Sequence, residues 1–317
     1  MNETKTQEKK ILMPGGAGLV GQNLVPKLKA KGYANIIVLD KHRKNLSILK
    51  QMHPDIFVSA VDLANEGAWF DYFESVDSVV MLQAQIGAKA YGPYVRNTVM
   101  STRNILKAMR KHHVPHLVHI SSSVLKSNAD DYYVRSKREQ ENMVVASGVD
   151  CVVLRPTLMF GWFDRKHLGW LSRFMKRIPI FPIPGDGRYL RQPLYVGDFC
   201  DIIVACIAQQ RVGGIYPITG MEKIDYIDIV RTIRETIDAK TKIVNIPYWL
   251  FATLLGAWAI FDNNPPFTIS QLKALVTPDV FEVIDWPDIF GVKMTPFITA
   301  IRETFLDPIY SKIDLEF

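Results

Sequence analysis

Between Lys10 and about Val153 the chain alternates short runs of β-branched and large apolar residues with longer segments in which apolar positions return every three or four residues. The short runs predict strands over Ile11–Met13, Ile36–Leu39, Ile56–Val58, Ser78–Leu82, His116–Ser121 and Cys151–Leu154. The longer segments predict helices between them, over Leu19–Lys31, Leu46–Met52, Trp69–Phe73, Tyr94–His112 and Asp131–Ser147. Strand and helix in regular alternation make an α/β fold built on a doubly wound parallel sheet. In such a sheet the ligand crevice opens beyond the carboxyl ends of the strands where their order reverses, here the first and the fourth.

After Arg155-Pro156 the pattern breaks into proline- and glycine-rich stretches, among them the segment from Ile178 to Gly185, mixed with short helices and single strands. This predicts a smaller, irregular lobe. A helix over Asp198–Gln209 and a strand over Gly214–Thr219 can return to the main body. The expected division is therefore a disordered tail over 1–9, a dinucleotide-binding domain over 10–160 and a mainly substrate-binding lobe over 161–317, with about 195–220 rejoining the first domain. One stretch, Ile246 to Phe261, is almost wholly apolar and includes Trp249, Phe251, Leu254, Leu255, Trp258 and Phe261. It is too short to span a membrane. A buried helix or lid of the small lobe is one reading, and a helix that docks on a membrane interface or a partner is the other.

Composition narrows the class without naming it. With 48% apolar and 22% charged residues in 317, the chain reads as globular. Its formal net charge of +6 permits an acidic ligand or an anionic surface, but the basic residues are dispersed, which argues against nucleic acid. Three cysteines, Cys151, Cys200 and Cys206, are too few and too irregular for a disulfide framework, and a reducing cytoplasm fits them. The polar stretch Met1–Lys10 lacks the apolar core of a secretory signal. His112, His113, His116 and His119 cluster near a predicted helix end and strand, where a core or solvated role is expected and no metal site.

The chemistry lies in two clusters. Gly15, Gly18 and Gly21 follow directly on Ile11-Leu12-Met13, so a strand ends in glycines and turns into a helix at Leu19 and Val20. Bare backbone N–H groups and a helix N-terminus then approach a pyrophosphate, which both favour, and side chains there would hold it off. Asp40 ends the second strand about twenty residues later, where a carboxylate can bond both ribose hydroxyls of an adenosine and repel a 2′-phosphate. Lys41, His42 and Arg43 follow at once and leave room for that phosphate, so NAD is favoured over NADP without excluding it. Asp40 could instead be a turn or helix cap. Asp62-Leu63, after the third strand, is the next candidate, near the adenine amino group or as a plain N-cap. In the second cluster Tyr133 and Lys137 lie one helical turn apart on one face, where a lysine can stabilise a phenolate, and Ser121-Ser122-Ser123 ends a strand upstream.

Taken in order, these residues resemble the short-chain dehydrogenase/reductase superfamily, in its extended branch of nucleotide-sugar epimerases, dehydratases and reductases. The resemblance covers about residues 10–235 and includes the strand end Val79–Ala84, Asn97, Thr102 and Asn104, Tyr133-x-x-Ser136-Lys137, Arg155-Pro156-Thr157, Phe160-Gly161, and Arg191 ahead of Tyr195-Val196-Gly197-Asp198. It implies a Rossmann-type fold with NAD as cofactor and a small-molecule substrate, a nucleotide sugar. It further implies Tyr133 as the acid/base, Lys137 as the group that lowers its pKa and bonds the nicotinamide ribose, and Ser122 as the holder of the same substrate oxygen. Ser122 is preferred to Ser121 and Ser123 because the family's Val-Tyr-Gly tripeptide aligns with Leu125-Lys126-Ser127. Gln83, Ala84, Pro156 and Leu158 would line the cofactor, and Arg191 would grip the substrate diphosphate, a surface salt bridge being its alternative. Relatives often dimerise through the two long helices, here Tyr94–His112 and Asp131–Ser147, so a homodimer is expected.

Departures bear on the activity. Lys126-Ser127 stands where the family's tripeptide has Tyr-Gly, Gln83 where a small alanine is usual and Val134 where glycine is common, whereas Pro14, in place of the usual threonine before the turn, leaves phosphate binding intact because the turn glycines remain. The segments Pro182-x-x-Gly185-Asp186-Gly187 and Gln192–Val196 look closer to atypical members, such as the NADH-binding accessory subunit of respiratory complex I. Two alternatives stay open: a non-catalytic dinucleotide-binding accessory or assembly protein that docks through Ile246–Phe261, and a reductase of an apolar small molecule, suggested by Trp162, Phe163, Trp170 and Phe174.

Overall fold

The computed structural model describes residues 8–126, 131–261, 269–277 and 281–316. Most of the expected tail and Ser127 lie outside the described residues, as do the side chains of Trp258 and Phe261. The first half of the chain builds β1 (Lys10–Pro14), β2 (Asn35–Asp40), β3 (Phe57–Ala60), β4 (Ser78–Met81), β5 (Leu117–Ile120) and β6 (Cys151–Pro156). Between them run α1 (Leu19–Ala30), α2 (Arg43–Met52), α3 (Ser101–Lys111) and α4 (Tyr132–Val145). The second half adds β7 (Met159–Phe160), α5 (Leu168–Met175), β8 (Ile180–Pro184), β9 (Leu190–Arg191), β10 (Leu194–Tyr195), α6 (Val196–Gln209), β11 (Ile215–Ile218) and β12 (Ile224–Asp225). It ends with α7 (Tyr226–Thr236), β13 (Lys242–Ile246), α8 (Tyr248–Phe261), α9 (Ile269–Val276), α10 (Trp286–Phe290) and α11 (Phe297–Leu306).

Seven strands form one parallel sheet in the order β3-β2-β1-β4-β5-β6-β11, so the direction of winding reverses between β1 and β4. The period of two along each strand divides its side chains between two cores. Ile11, Met13, Ile36, Val38, Val80 and Val118 face one, packed under α1 and α6, while Leu12, Ile37, Leu39, Val79, Met81 and Leu117 face the other, under α3. Such strands read as continuous apolar runs because both faces are covered.

Four elements differ from the sequence expectation, each for a local reason. The third strand is displaced to Phe57–Ala60, where it pairs in register with Ile37–Asp40. Trp69–Phe73 belongs to a tighter 3₁₀ helix, Ala68–Phe73. The long helix before β5 is not regular: a turn at Gly92–Tyr94 leads through a π-helical stretch, Val95–Met100, into α3. There Ser101 and Thr102 turn their hydroxyls back onto the carbonyls of Asn97 and Thr98, each at 2.7 Å. The apolar stretch Ile246–Phe261 is split, Ile246 closing β13 and α8 starting at Tyr248, and from Tyr248 to Ala257 none of its residues is buried. The buried-helix reading is therefore corrected. The second lobe's core is already filled by Leu171, Phe181, Ile183, Ile233, Phe297 and Ile301, from other elements.

The second half of the chain returns to the main sheet more than once. β11 pairs with β6, and α6 supplies Phe199, Ile203 and Ile207 to the core beneath β1. Trp286 and Phe290 of α10 join the same core, and the Trp286 indole donates to the Thr219 carbonyl at 2.9 Å. Asp198 holds Thr295 through both its backbone N–H and its hydroxyl. The amide of Asn45 and the backbone of Glu316 exchange two hydrogen bonds near the chain's end.

The turn after β1 owes its shape to two glycines. Gly15 has φ +76°, and a Cβ there would lie 2.4 Å from the Gln83 nitrogen, so β1 and the end of β4 approach backbone to backbone. A Cβ on Gly21 would lie 2.1 Å from the Gly16 carbonyl oxygen, because α1 packs directly on the turn. Gly18 is different: its nearest neighbour would be 3.8 Å away. Gly21→Ala should therefore lose about 1–3 kcal/mol of stability in urea unfolding, whereas Gly18→Ala should stay within about 0.5 kcal/mol.

Candidate active site

The site is assembled at the carboxyl ends of β1, β4 and β5, beside the reversal in strand order. Gly18 is the N-cap of α1, no side chain caps that helix, and its first turn holds no acidic residue. The N–H groups at its start are thus left to an outside acceptor, the electrostatics an anion requires. Asp40 is buried at the end of β2, where its carboxylate accepts the Ala17 N–H at 3.1 Å and the His42 N–H at 3.0 Å. It braces the glycine turn and closes the turn at His42 that leads into α2, yet a carboxylate with about four acceptor positions keeps capacity for a ribose hydroxyl. Asp62 accepts the Ala64 N–H at 3.1 Å and ion-pairs with Arg96, which makes it a turn cap in this structure. Leu63 is buried, and its carbonyl accepts the Asn104 amide at 3.0 Å.

Gln83 and Ala84 follow β4. The Gln83 side chain folds away onto α3, its amide donating to the Thr102 hydroxyl at 3.1 Å. Thr102 also receives the Gln140 amide at 2.9 Å, and Gln140 donates to the Gln83 carbonyl at 3.2 Å. The Gln140 oxygen in turn accepts Lys137 Nζ at 2.5 Å, and the Ile120 carbonyl accepts it at 2.7 Å. A chain of hydrogen bonds thus joins the loop against Gly15 to the lysine. Gln140 was missed from sequence, although its i+3 spacing from Lys137 puts it on the same helix face.

Lys137 is 2% exposed, and burial lowers its pKa to about 7 with Glu141 nearby offsetting part of the shift. Burial likewise raises the Tyr133 phenol, a hydrogen bond with Ser122 pulls it back, and Asp131 and Tyr94 push it further up. In this structure the Lys137 ammonium group is directed at Ile120 and Gln140, and desolvation is the largest influence on the Tyr133 phenol. One of the three lysine donors remains for another acceptor. The neighbouring serines divide their work. Ser121 donates to Glu141 at 2.5 Å, inside a clamp that Arg155 completes with two bonds to the same carboxylate, while Ser122 meets Tyr133. Burial would raise the Glu141 carboxyl, but Arg155 and Ser121 outweigh it and hold it below its usual range. His119, buried on β5, has no partner for either ring nitrogen among the described residues, and burial pushes its pKa well down.

Pro156 closes β6, buried and paired with Ile218, whereas Leu158 is 41% exposed just beyond it. Arg191 is held elsewhere: its guanidinium donates to the carbonyls of Thr277, at 2.8 Å, and Leu275, at the end of α9. The structure thus unites the glycine turn, Asp40 and Gln83 on one side with Ser122, Tyr133 and Lys137 on the other, and it ties Arg191 to a helix end.

A glycine turn at a strand-order reversal, an acid at the end of β2 and a Tyr/Lys/Ser set at β5 and α4 define a Rossmann-type protein of the extended short-chain dehydrogenase/reductase class. The chain belongs to the NAD dependent epimerase/dehydratase family, whose family model matches residues 11–219; the family is one of enzymes. A curated relative, the dTDP-glucose 4,6-dehydratase of an Actinoplanes species, is 26% identical over 264 residues, 73% of this chain and 82% of that protein. The N-acetyl-alpha-D-glucosaminyl-diphospho-ditrans,octacis-undecaprenol 4-epimerase of Escherichia coli O157:H7 is 23% identical over 75% of each chain. Among solved structures, the Bordetella bronchiseptica enzyme WbmF in complex with NAD+ and UDP superposes with a TM-score of 0.71 at 20% identity, covering 96% of this chain and 93% of its own. The UDP-glucuronic acid 4-epimerase of Bacillus cereus, in complex with NAD, gives 0.66 at 22%, covering 75% and 86%. These two structures are likenesses of fold.

The lysine's depressed pKa carries a stability signature. Between its folded value near 7 and its ordinary value the unfolded chain binds the extra proton, so the contribution of Lys137 to stability rises with pH across that window. Melting temperatures of the wild type and Lys137→Met from pH 6.5 to about 10 should show the wild type gaining on the variant as pH rises; parallel curves would show a lysine of ordinary pKa.

Proposed function

We propose that this chain is an NAD-dependent epimerase, dehydratase or reductase that acts on a hydroxyl or keto group of a nucleotide sugar. The observation that carries the reading is the pairing of Ser122 with Tyr133, one helical turn from Lys137, which hydrogen bonds through Gln140 and Gln83 link to the glycine turn. The relatives named above act, by their names, on sugar nucleotides or a diphospho-linked sugar, which supports the substrate class.

In this reading the glycine turn and the start of α1 hold the dinucleotide's phosphates, and Asp40 bonds the adenosine ribose, which favours NAD over NADP. When bound, NAD supplies a carbon that accepts or returns hydride. Tyr133 takes the proton from the substrate hydroxyl or gives it back to the carbonyl oxygen, Ser122 holds that oxygen in place, and the free donor of Lys137 bonds the nicotinamide ribose. The raised phenol pKa suits delivery of a proton at neutral pH and sets proton removal on an alkaline limb. Arg191 reaches a substrate diphosphate once the end of α9 yields its carbonyls. Two copies pair through the outer faces of α3 and α4, near the exposed Met100 and Val145.

Tyr133→Phe should lower turnover on a panel of UDP- and dTDP-sugars by about 10²–10⁴-fold while NAD affinity, read by calorimetry, stays within about threefold. Turnover that survives the substitution, or a folded protein that fails to bind NAD, would sink the proposal.

A further inference from the structure

We propose that Gln140 is a positioning residue of the site: it fixes where the Lys137 ammonium group points and pins the Gln83 carbonyl beside the glycine turn, so that one buried side chain aligns the lysine with a wall of the dinucleotide groove. This role rests on the function proposed above, and in it Gln140 itself touches neither substrate nor dinucleotide.

Gln140 is fully buried while its neighbours Arg138 and Glu139 are exposed, since the position three residues after Lys137 shares the lysine's helix face. An apolar residue would fill that space, and a buried amide is stable there only where both its polar atoms find partners. Here each does. The Oε1 atom accepts Lys137 Nζ at 2.5 Å, and Nε2 donates to the Gln83 carbonyl at 3.2 Å and to the Thr102 hydroxyl at 2.9 Å. That orientation cannot be reversed, because an ammonium group only donates and a carbonyl only accepts. Thr102 gives its own proton to the Thr98 carbonyl at 2.7 Å, so its lone pairs are left for the amides of Gln140 and Gln83, the latter at 3.1 Å.

Lys137 is held by the Ile120 carbonyl of β5, at 2.7 Å, and by Gln140 of α4. With two of its three donors fixed on different elements, tetrahedral geometry leaves one direction for the third. Removing Gln140 frees the ammonium group to turn about Ile120. The Gln83 carbonyl is the other end of the same bridge, and Leu82 before it donates to the Pro14 carbonyl at 2.9 Å, so the end of β4 is tied both to the start of the glycine turn and to α4. The ionisable groups about Lys137 are Glu141 on its own helix, which Arg155 of β6 and Ser121 hold ionised; His119 of β5, kept neutral by burial; and Tyr133, kept protonated by it. From α3 comes the neutral Thr102, through Gln140. None of these groups bonds the ammonium group among the described residues, so Gln140 is the side chain that steers it.

The test is an NMR titration of the lysine side chains in the full-length protein without dinucleotide, Lys137 being assigned by its loss in Lys137→Met. The wild-type midpoint is expected near 7. Gln140→Met, which removes the acceptor, should lower it by about one pH unit or more, and Gln140→Glu, which sets a carboxylate against the ammonium group, should raise it by about one unit or more. A residue that merely filled space would move both variants the same way. Gln140→Met should also weaken NAD binding about tenfold in calorimetry, with the circular dichroism of the wild type. If that variant does not fold, Gln140→Asn, too short to reach the lysine, takes its place with the same lowering expected. Midpoints that move in one direction in both variants or stay put, or wild-type NAD affinity in the variant that lost the acceptor, would overturn the proposal. The titration needs no dinucleotide, so it reads Lys137 separately from the outcome that sinks the function above, a folded protein that binds no NAD.

Discussion

A lysine ammonium has no place in a core unless partners meet it, and the middle of this molecule is arranged around one that is met. Lys137 is taken up by the Ile120 carbonyl and the Gln140 side chain, Gln140 is fixed in turn by Thr102 and the Gln83 backbone, and Gln83 presses against Gly15. Strands β1, β4 and β5 and helices α3 and α4 thus share one polar thread. The π-helical stretch before α3 belongs to the same arrangement, since the Thr102 hydroxyl that receives both glutamines also bonds the Thr98 carbonyl. Desolvation is the cost of this burial, and it shows in the lowered lysine pKa.

The same economy of partners separates structural from reactive groups. Ser121, Glu141 and Arg155 are joined by three hydrogen bonds, so they hold α4 against β5 and β6. Ser122 and Tyr133, next to them, meet each other and carry the shifted phenol. Asp40 stands between these cases: with two of its acceptor positions it supports the glycine turn and the turn at His42. Arg191 shows the reverse, a group with the right charge for a diphosphate that is engaged by the last carbonyls of α9.

The parallel sheet was legible because each central strand is buried on both faces, so its apolar run is nearly unbroken, and because the glycines at 15, 18 and 21 can serve few purposes between a strand and a helix. Local pattern also located Tyr133 and Lys137 on one helix face, and the Ser121–Ser123 run at a strand end. It did not reach Gln140, whose importance comes from partners at positions 83 and 102. Nor does a spacing of four residues say where the Lys137 ammonium group points or how much water surrounds the Tyr133 phenol. The apolar run from Ile246 read first as a buried helix or lid, with a surface docking helix as the alternative, and the choice depended on whether other residues already filled the lobe's core.

What the sequence by itself determined, then, is periodic and local: the order of strands and helices, the turn that only glycine can make at Gly15, and the residue types available for proton transfer. Tertiary structure decided which side chains face one another across elements distant in the chain, as with Gln83 and Gln140, Arg191 and Leu275, or Trp286 and Thr219. The physical reason is that hydrogen-bond partners and desolvation are properties of a packed neighbourhood, and that neighbourhood exists only once the sheet has brought remote strands together.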